Sequence, residues 1–357
     1  MPDYSQLLRR LKKQAAARPQ PVQAMMELTY GCNLRCVHCY NPTHVARDEI
    51  TTEQIFRILD GLAAQGCLSI GFTGGEIFTR RDALEIFRYA KRSGFVVTLL
   101  TNATMITPEL ADQVKELDPY QLEISVYGAT AEIYEKVTRV PGSFARFCRG
   151  VDLLVERKIP IFFKLVVMTL NVHELSLMKR FALDRNLRYQ ISTGIFPGVD
   201  GSQEPLAYRI SPEEAFEIWR EISGNGILEN QTEKKDSCCV YTGKLFECTC
   251  GKSSAAVTPH GKMNLCLSIY EPRFDLTRGT VAEGWENLAE IVRSAEPGPE
   301  YECLECGLAK HCRRGTKDGW LEQRRFDGPC LSHFKEGAQL TARRLQENGL
   351  EAKPDEK

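Results

Sequence analysis

The sequence predicts an α/β protein: a parallel sheet covered by helices, followed by a smaller cysteine-rich domain. Two observations predict this. Between residues 22 and 195, six short apolar runs alternate with longer helical patterns, and near-continuous apolar strands separated by helices are the signature of a parallel sheet buried between layers. From residue 238 to 330 the text changes to nine cysteines set among Gly, Pro and charged residues. Such a segment has too few apolar runs for a large core, so bound metal is expected to organise it.

The elements follow in order. Residues 1–20 read as a short basic helix with Leu7, Leu8 and Leu11 on one side, ended by Pro19 and Pro21. The six strands are VQAMMEL (22–28), CLSIGF (67–72), FVVTLL (95–100), QLEISV (121–126), IFFKLVV (161–167) and RYQIS (188–192). Between them, Ile55, Ile58, Leu59 and Leu62, and again Phe144, Phe147, Val151 and Leu154, recur as the buried stripe of a helix does. Thr51 with Thr52, and Thr107 before Pro108, supply helix starts. Either an open doubly wound sheet or a barrel fits this alternation, and in both the ligand lies at the carboxyl ends of the strands. A capped helix, SPEEAFEIWREI (211–222), precedes a polar connection, which puts a domain boundary near 230. The expected division is an N-terminal helix (1–20), a sheet domain (21–229), a cysteine-rich domain (230–345) and a tail (346–357).

Composition removes several classes of function. With 46 Lys and Arg against 47 Asp and Glu, the chain has no global charge to attract a phosphate backbone. No apolar stretch approaches the roughly 20 residues of a membrane span, and the N-terminus lacks the apolar segment of a secretory signal. Nucleic acid and a membrane span are thus not expected, and a cytoplasmic location is. Fourteen cysteines in such a chain point to metal or redox chemistry rather than disulfides.

The sharpest motif is Cys32-Asn-Leu-Arg-Cys36-Val-His-Cys39, directly after the first strand. Three thiolates within eight residues can wrap one corner of an iron–sulfur cluster and leave one iron open. Spacing alone also permits a zinc site completed by His38 or His44.

The run ELTYGCNLRCVHCYNP resembles the cluster-binding loop of the radical S-adenosylmethionine superfamily, and Thr73-Gly74-Gly75-Glu76 after the second strand resembles its Gly-Gly-Glu motif. The resemblance implies a partial (β/α)6 barrel in which Cys32, Cys36 and Cys39 hold a [4Fe-4S] cluster. S-adenosylmethionine binds its open iron and is cleaved to a 5′-deoxyadenosyl radical that abstracts hydrogen from a substrate. It further implies that Gly74, Gly75 and Glu76 grip the cofactor's methionine. Tyr40 would lie near its adenine, Asn102 in LLTNAT at the end of the third strand, and Ser125 and Arg139 at its ribose or carboxylate. The glycines are expected for close backbone approach to the ligand.

The second cysteine group, Cys250-x15-Cys266 with Gly261, then Cys303-x2-Cys306-x5-Cys312 and Cys330, resembles the SPASM extension of enzymes that modify peptides and proteins. A zinc ribbon on Cys303, Cys306, Cys312 and Cys330 is the plain alternative. The resemblance implies one or two auxiliary clusters: a distal one on those four cysteines, and a proximal one on Cys250 and Cys266 with help from Cys248, Cys239 or Cys238. The family usually has another cysteine three or four residues after the position of Cys312, whereas this chain reads Cys312-Arg-Arg-Gly-Thr316. The proximal cluster therefore lacks an expected ligand. Cys67 and Cys148 read as packing residues, His260 and Asp275 as loop residues, and no catalytic residue is singled out.

The expected function is radical modification of a ribosomally made precursor peptide, by crosslinking, epimerisation or a related change. A separate leader-binding protein and an electron donor such as flavodoxin or ferredoxin are the implied partners. Tetrapyrrole or quinone-cofactor biosynthesis is the second reading, and a non-catalytic metal-binding scaffold the third.

Overall fold

The computed structural model describes residues 4–15, 19–41, 43–223, 245–246, 248–312 and 314–347. The six predicted strands form as β1 (Gln23–Thr29), β2 (Ser69–Gly74), β3 (Val96–Thr101), β4 (Gln121–Val126), β5 (Ile161–Val166) and β6 (Arg188–Ser192). An N-terminal helix α1 (Tyr4–Ala15) precedes them, and α2 (Thr52–Ala64), α3 (Ala83–Arg92), α4 (Pro108–Leu117), α5 (Ala131–Thr138), α6 (Ser143–Glu156) and α7 (Leu175–Leu183) connect them. The expected starts operate. Thr51 and Gln54 close a capping box on α2, and the Thr107 hydroxyl accepts the Leu110 N–H of α4 behind Pro108.

Strand pairing decides between the two sheet types. The order is β6-β5-β4-β3-β2-β1, strictly sequential, and every pair is parallel. A doubly wound sheet needs a reversal of order at a switch point. Without one, right-handed crossovers place every helix on the same face. The sheet is therefore of the barrel type, yet it does not close. Beyond β1 it continues through β7 (Ser254–Val257), parallel to β1, and the antiparallel β8 (Lys262–Cys266) and β9 (Ile269–Asp275).

Side-chain alternation gives the sheet two unlike faces. Ala24, Met26, Leu28, Ile70, Phe72, Leu99, Ile124, Phe163 and Leu165 are buried, and rings of the helical layer meet them, Phe87 lying 5.0 Å from Phe72 and Phe181 lying 5.9 Å from Phe163. The opposite face, helix-free in that no crossover helix packs on it, carries Glu27, Thr73, Glu123, Ser125 and Lys164, and Lys12 of α1 reaches Gln23 at its amino end. Here the strands are less apolar than expected, because only one of their faces is packed against helices.

The chain divides into two compact units, residues 1–209 with 249–293, and residues 210–248 with 294–357. Pairing of β7 with β1 is what draws 249–293 into the first unit, and α9 (Val281–Ser294) then packs there, so closely that a Cβ at Gly61 of α2 would lie 2.7 Å from Val281 Cγ2. The boundary expected near 230 lies outside the described residues. In the second unit α8 (Pro212–Ser223), started by a reciprocal Ser211–Glu214 box, packs on α11 (Ser332–Glu347). There, Phe246, Phe326 and Trp320 form a stack beside α10 (Thr316–Gln323), with ring centroids 4.8 and 5.1 Å apart. Among the described residues no helix is long and apolar enough to cross a membrane.

Gly74 and Gly75 serve a tighter packing than the expected approach to a ligand. A Cβ at Gly75 would lie 2.2 Å from the Gly31 carbonyl oxygen, and one at Gly74, whose φ is +133°, 2.3 Å from that of Thr29. The contact is with the end of β1, and backbone cannot give way as a side-chain tip can. Gly75→Ala is expected to lower stability by about 1–3 kcal/mol, the usual cost of overpacking, read as a fall in the thermal unfolding midpoint.

Candidate functional site

The cysteine loop leaves the carboxyl end of β1 and is tied down by backbone on both sides. Arg35 and Val37 donate their N–H groups to the Thr138 and Val137 carbonyls at the end of α5, at 2.9 and 3.0 Å. Cys32 N–H reaches the His44 carbonyl at 3.3 Å, and Cys39 N–H turns back to the Cys36 carbonyl at 3.1 Å. Cys32, Cys36 and Cys39 are all free thiols. Burial, followed by repulsion from Cys39 and Cys32, pushes the Cys36 thiol well up. Burial pushes Cys39 up to about 11 and also raises Cys32, with the Arg35 charge offsetting part of both shifts. Three half-buried thiols that repel one another as thiolates form a donor set that a cationic cluster would stabilise. Among the described residues no three His, Cys, Asp or Glu side chains are gathered as they would be around a single ion. His38 Nδ1 and His44 Nδ1 are buried without a hydrogen-bond partner among the described residues, and burial lowers the His38 imidazole to about 4.

Glu76 organises the strand ends beneath this loop. It is fully buried, and its carboxylate accepts from Asn102 N–H and the Thr101 hydroxyl, both at 2.7 Å, and from Phe78 N–H at 3.3 Å. Asn102 in turn donates its amide to Asn33 Oδ1 at 2.9 Å and accepts from the Thr104 hydroxyl at 2.6 Å, while Asn33 Nδ2 donates to Thr104 at 2.7 Å. Cysteine loop, β2 end and β3 end are thus one hydrogen-bonded unit. Glu76 and Asn102 were expected at the cofactor, and here their side chains bind protein. Asn33, which sequence reasoning passed over, is the residue that carries the network into the loop.

A second polar cluster lies on the helix-free face. Glu27 is 2% exposed and accepts from the Tyr40 hydroxyl at 2.9 Å and the Tyr30 hydroxyl at 3.4 Å. Burial holds its carboxyl up to about 7, the two tyrosine hydroxyls working against the shift. Tyr40 directly follows Cys39, so the structure joins the cluster loop to Glu27. Its only signal in the sequence was a lone acid within the apolar run VQAMMEL. Tyr270 of β9 lies close enough for the Glu27 and Tyr30 charges to raise its phenol further, after burial.

The remaining predicted residues are more scattered. Ser125 lies on the helix-free face opposite Lys164. Arg139 ends α5 in a left-handed turn with φ of +56°, and its side chain is exposed, next to Thr138 that holds the loop. His260 bonds the Arg47 carbonyl at 3.1 Å, and Lys262 holds the Asp275 carboxyl well below the ordinary range. Cys67 is buried, as expected, whereas Cys148 is half-buried.

Cys303, Cys306, Cys312 and Cys330, all in the second unit, lie near one another. Burial first, then the charges of Cys303 and Cys306, raise Cys312, and burial and then Cys312 raise Cys330. Arg314 donates its guanidinium to Cys303 Sγ and its backbone N–H to Cys312 Sγ, each at 3.5 Å. Four thiols in one another's electrostatic reach are soft donors of the kind that iron and zinc take. The Thr316 hydroxyl, where the expected cysteine is missing, donates to the Leu245 carbonyl at 2.6 Å. Cys250 and Cys266 belong to the first unit and Cys248 to the second, while Cys238 and Cys239 lie outside the described residues.

Residues 26–182 match the family model described as Radical SAM superfamily. The chain is 35% identical over 309 residues to an AdoMet-dependent heme synthase from Methanosarcina barkeri (strain Fusaro / DSM 804), covering 80% of this chain and 87% of that one. It is 30% identical over 332 residues to a PqqA peptide cyclase from Rhodopseudomonas palustris (strain ATCC BAA-98 / CGA009), covering 88% and 80%. Among solved structures, Streptococcus suis SuiB bound to precursor peptide SuiA is similar, with a TM-score of 0.69 at 14% identity, covering 93% of this chain and 80% of that one. At that identity the likeness is one of fold.

Two substitutions probe this geometry. Glu76→Gln keeps one acceptor oxygen but turns the other into an NH2 group that faces a donor, and is expected to cost about 1–3 kcal/mol, seen in thermal unfolding, with less iron retained at the loop. Glu27 in the fold keeps a proton that the unfolded chain has already released, so its stabilisation holds below the ordinary carboxylate range and is lost as pH rises through about 7. Between pH 6 and 8 the unfolding midpoint of the native protein should therefore fall relative to that of Glu27→Gln.

Proposed function

The chain belongs to the radical SAM superfamily, and from that premise we propose that it modifies a ribosomally made peptide, by crosslinking, epimerisation or a related change. A [4Fe-4S] cluster and S-adenosylmethionine are the cofactors of this family, and when bound they supply a carbon radical that removes a hydrogen atom from the substrate. In this chain Cys32, Cys36 and Cys39 hold the cluster, and Asn33, gripped by Asn102, fixes the loop that presents them. Gly74 and Gly75 bring β2 against the end of β1, and with Glu76 this edge would hold the methionine end of the cofactor. Tyr40, Ser125 and Arg139 would bind its nucleoside and carboxylate. Glu27, whose carboxyl is held up to about 7 and accepts the Tyr40 hydroxyl at Oε1, is placed to take or give a proton within the site. Cys303, Cys306, Cys312 and Cys330 hold an auxiliary cluster, and Cys250 and Cys266 contribute to a second. An external electron donor and a separate leader-binding protein complete the system.

The observation that carries the peptide reading is the open sheet. Its helix-free face runs from β6 to β9 without closing, a trough suited to an extended chain, and a peptide cyclase is among the similar proteins. The 35% identity to a heme synthase favours a tetrapyrrole as the second reading.

Anaerobically reconstituted protein with dithionite should convert S-adenosylmethionine to 5′-deoxyadenosine, and Cys32→Ala should lose at least a hundredfold of this rate. Coexpression with a candidate precursor peptide should change that peptide's mass. An unchanged peptide together with a mass loss from a propionate-bearing tetrapyrrole would establish the second reading instead.

A further inference from the structure

The first unit holds a cavity of about 400 Å³ over β7, β8 and β9, lined by Tyr30, Thr258, His260, Lys262, Asn264, Tyr270 and Arg273. Its volume is in the range of small-ligand sites, roughly 300–1,000 Å³, and no cysteine lines it. Two of its buried polar atoms have no hydrogen-bond partner within 3.5 Å among the described residues. Asn264 is 1% exposed, and its Oδ1 accepts no hydrogen bond; the buried Tyr270 hydroxyl has the Tyr30 phenol as its polar neighbour, beyond that distance. Leaving a buried polar group unsatisfied costs about 1–3 kcal/mol each, so a pair of them facing one cavity marks a place where a ligand supplies the missing bonds.

The chemistry of that ligand follows from what is already paired. The two cations of the lining are committed, Lys262 to Asp275 at 2.6 Å and Arg273 to Glu271 at 2.9 Å. A carboxylate would have to displace an acid at either position. The unserved groups are neutral: an amide oxygen that needs an N–H donor, and a phenol that donates to a carbonyl. A secondary amide offers both. The peripheral carboxylates and alkyl groups of a tetrapyrrole offer no such donor.

The cavity also adjoins the site. Tyr30 lines it and hydrogen-bonds Glu27, which receives Tyr40, the residue after Cys39. We propose that this cavity is a substrate subsite that binds a main-chain amide of the peptide, Asn264 Oδ1 accepting its N–H and the Tyr270 hydroxyl donating to a carbonyl. The proposal rests on the peptide reading and names the groups that would recognise the chain.

The test is direct binding to the anaerobic holoenzyme, followed by fluorescence anisotropy. The probe is a pool of end-blocked, tagged, randomised octapeptides, made once with all amide bonds and once with a central ester in place of one amide. Native protein should bind the amide pool about tenfold more tightly than the ester pool, and Asn264→Leu should bind both alike. Since Asn264 is buried, variants are compared only when their thermal unfolding stays cooperative. Tyr270→Phe, which removes one hydroxyl, gives the second arm, with several-fold weaker binding of both pools. Peptide binding without amide preference, or a preference that survives in Asn264→Leu, overturns the subsite and leaves the peptide reading intact. Failure of native protein to bind either pool overturns both.

Discussion

The Glu76 carboxylate is the interaction on which the site's architecture rests. Buried away from solvent, a carboxylate is tolerated only where donors surround it, and here the donors belong to segments that must be brought together. Two come from the end of β3 and one from the turn after β2. Satisfying the charge therefore fixes where β3 ends, which fixes Asn102, which fixes Asn33 and with it the cysteine loop. The two preceding glycines allow β1 close enough for Gly75 and Glu76 to donate their N–H groups to Thr29 and Gly31. A single buried acid and two missing side chains thus set the position of three thiols.

Division of labour between the faces of the sheet explains why a site can form above it. One face is a conventional apolar core with stacked rings, and it supplies stability. The other carries buried or half-buried polar groups whose burial costs free energy that packing on the first face must offset. Glu27 shows the tension most clearly: burial among tyrosines holds its carboxyl up to about 7. Groups held against their solution preference are typical of functional sites.

Much of this was legible in the sequence, and the reasons differ by element. The first six strands and their capped helices were readable because apolar periodicity and Thr-Pro or Thr-Thr starts are local signals. Sheet type was not, since sequential and reversed strand orders are written alike and only pairing separates them. The β7–β9 extension escaped because its strands are short and mixed in character, so that the cysteine-rich segment read as wholly separate from the sheet. The three thiols of the loop stood out by their spacing, and the resemblance to a family, not the spacing, pointed to a cluster. Glu27, Asn33 and Asn264 did not stand out: the first two act through side chains that only folding brings to them, and Asn264 through the cavity it lines.

An open sheet has two unpaired borders, and each presents a row of backbone groups on which another chain could add. At β9 the border carries Glu271, Pro272, Arg273 and Asp275, and at β6 it carries Arg188 and Gln190. A proline removes a donor, and exposed charges make stacking of a second copy unfavourable. The same residues that decorate the rim of the trough thereby keep one molecule from templating the next. A fold that leaves its sheet unclosed for access is in this way kept from aggregating by its own outermost strands.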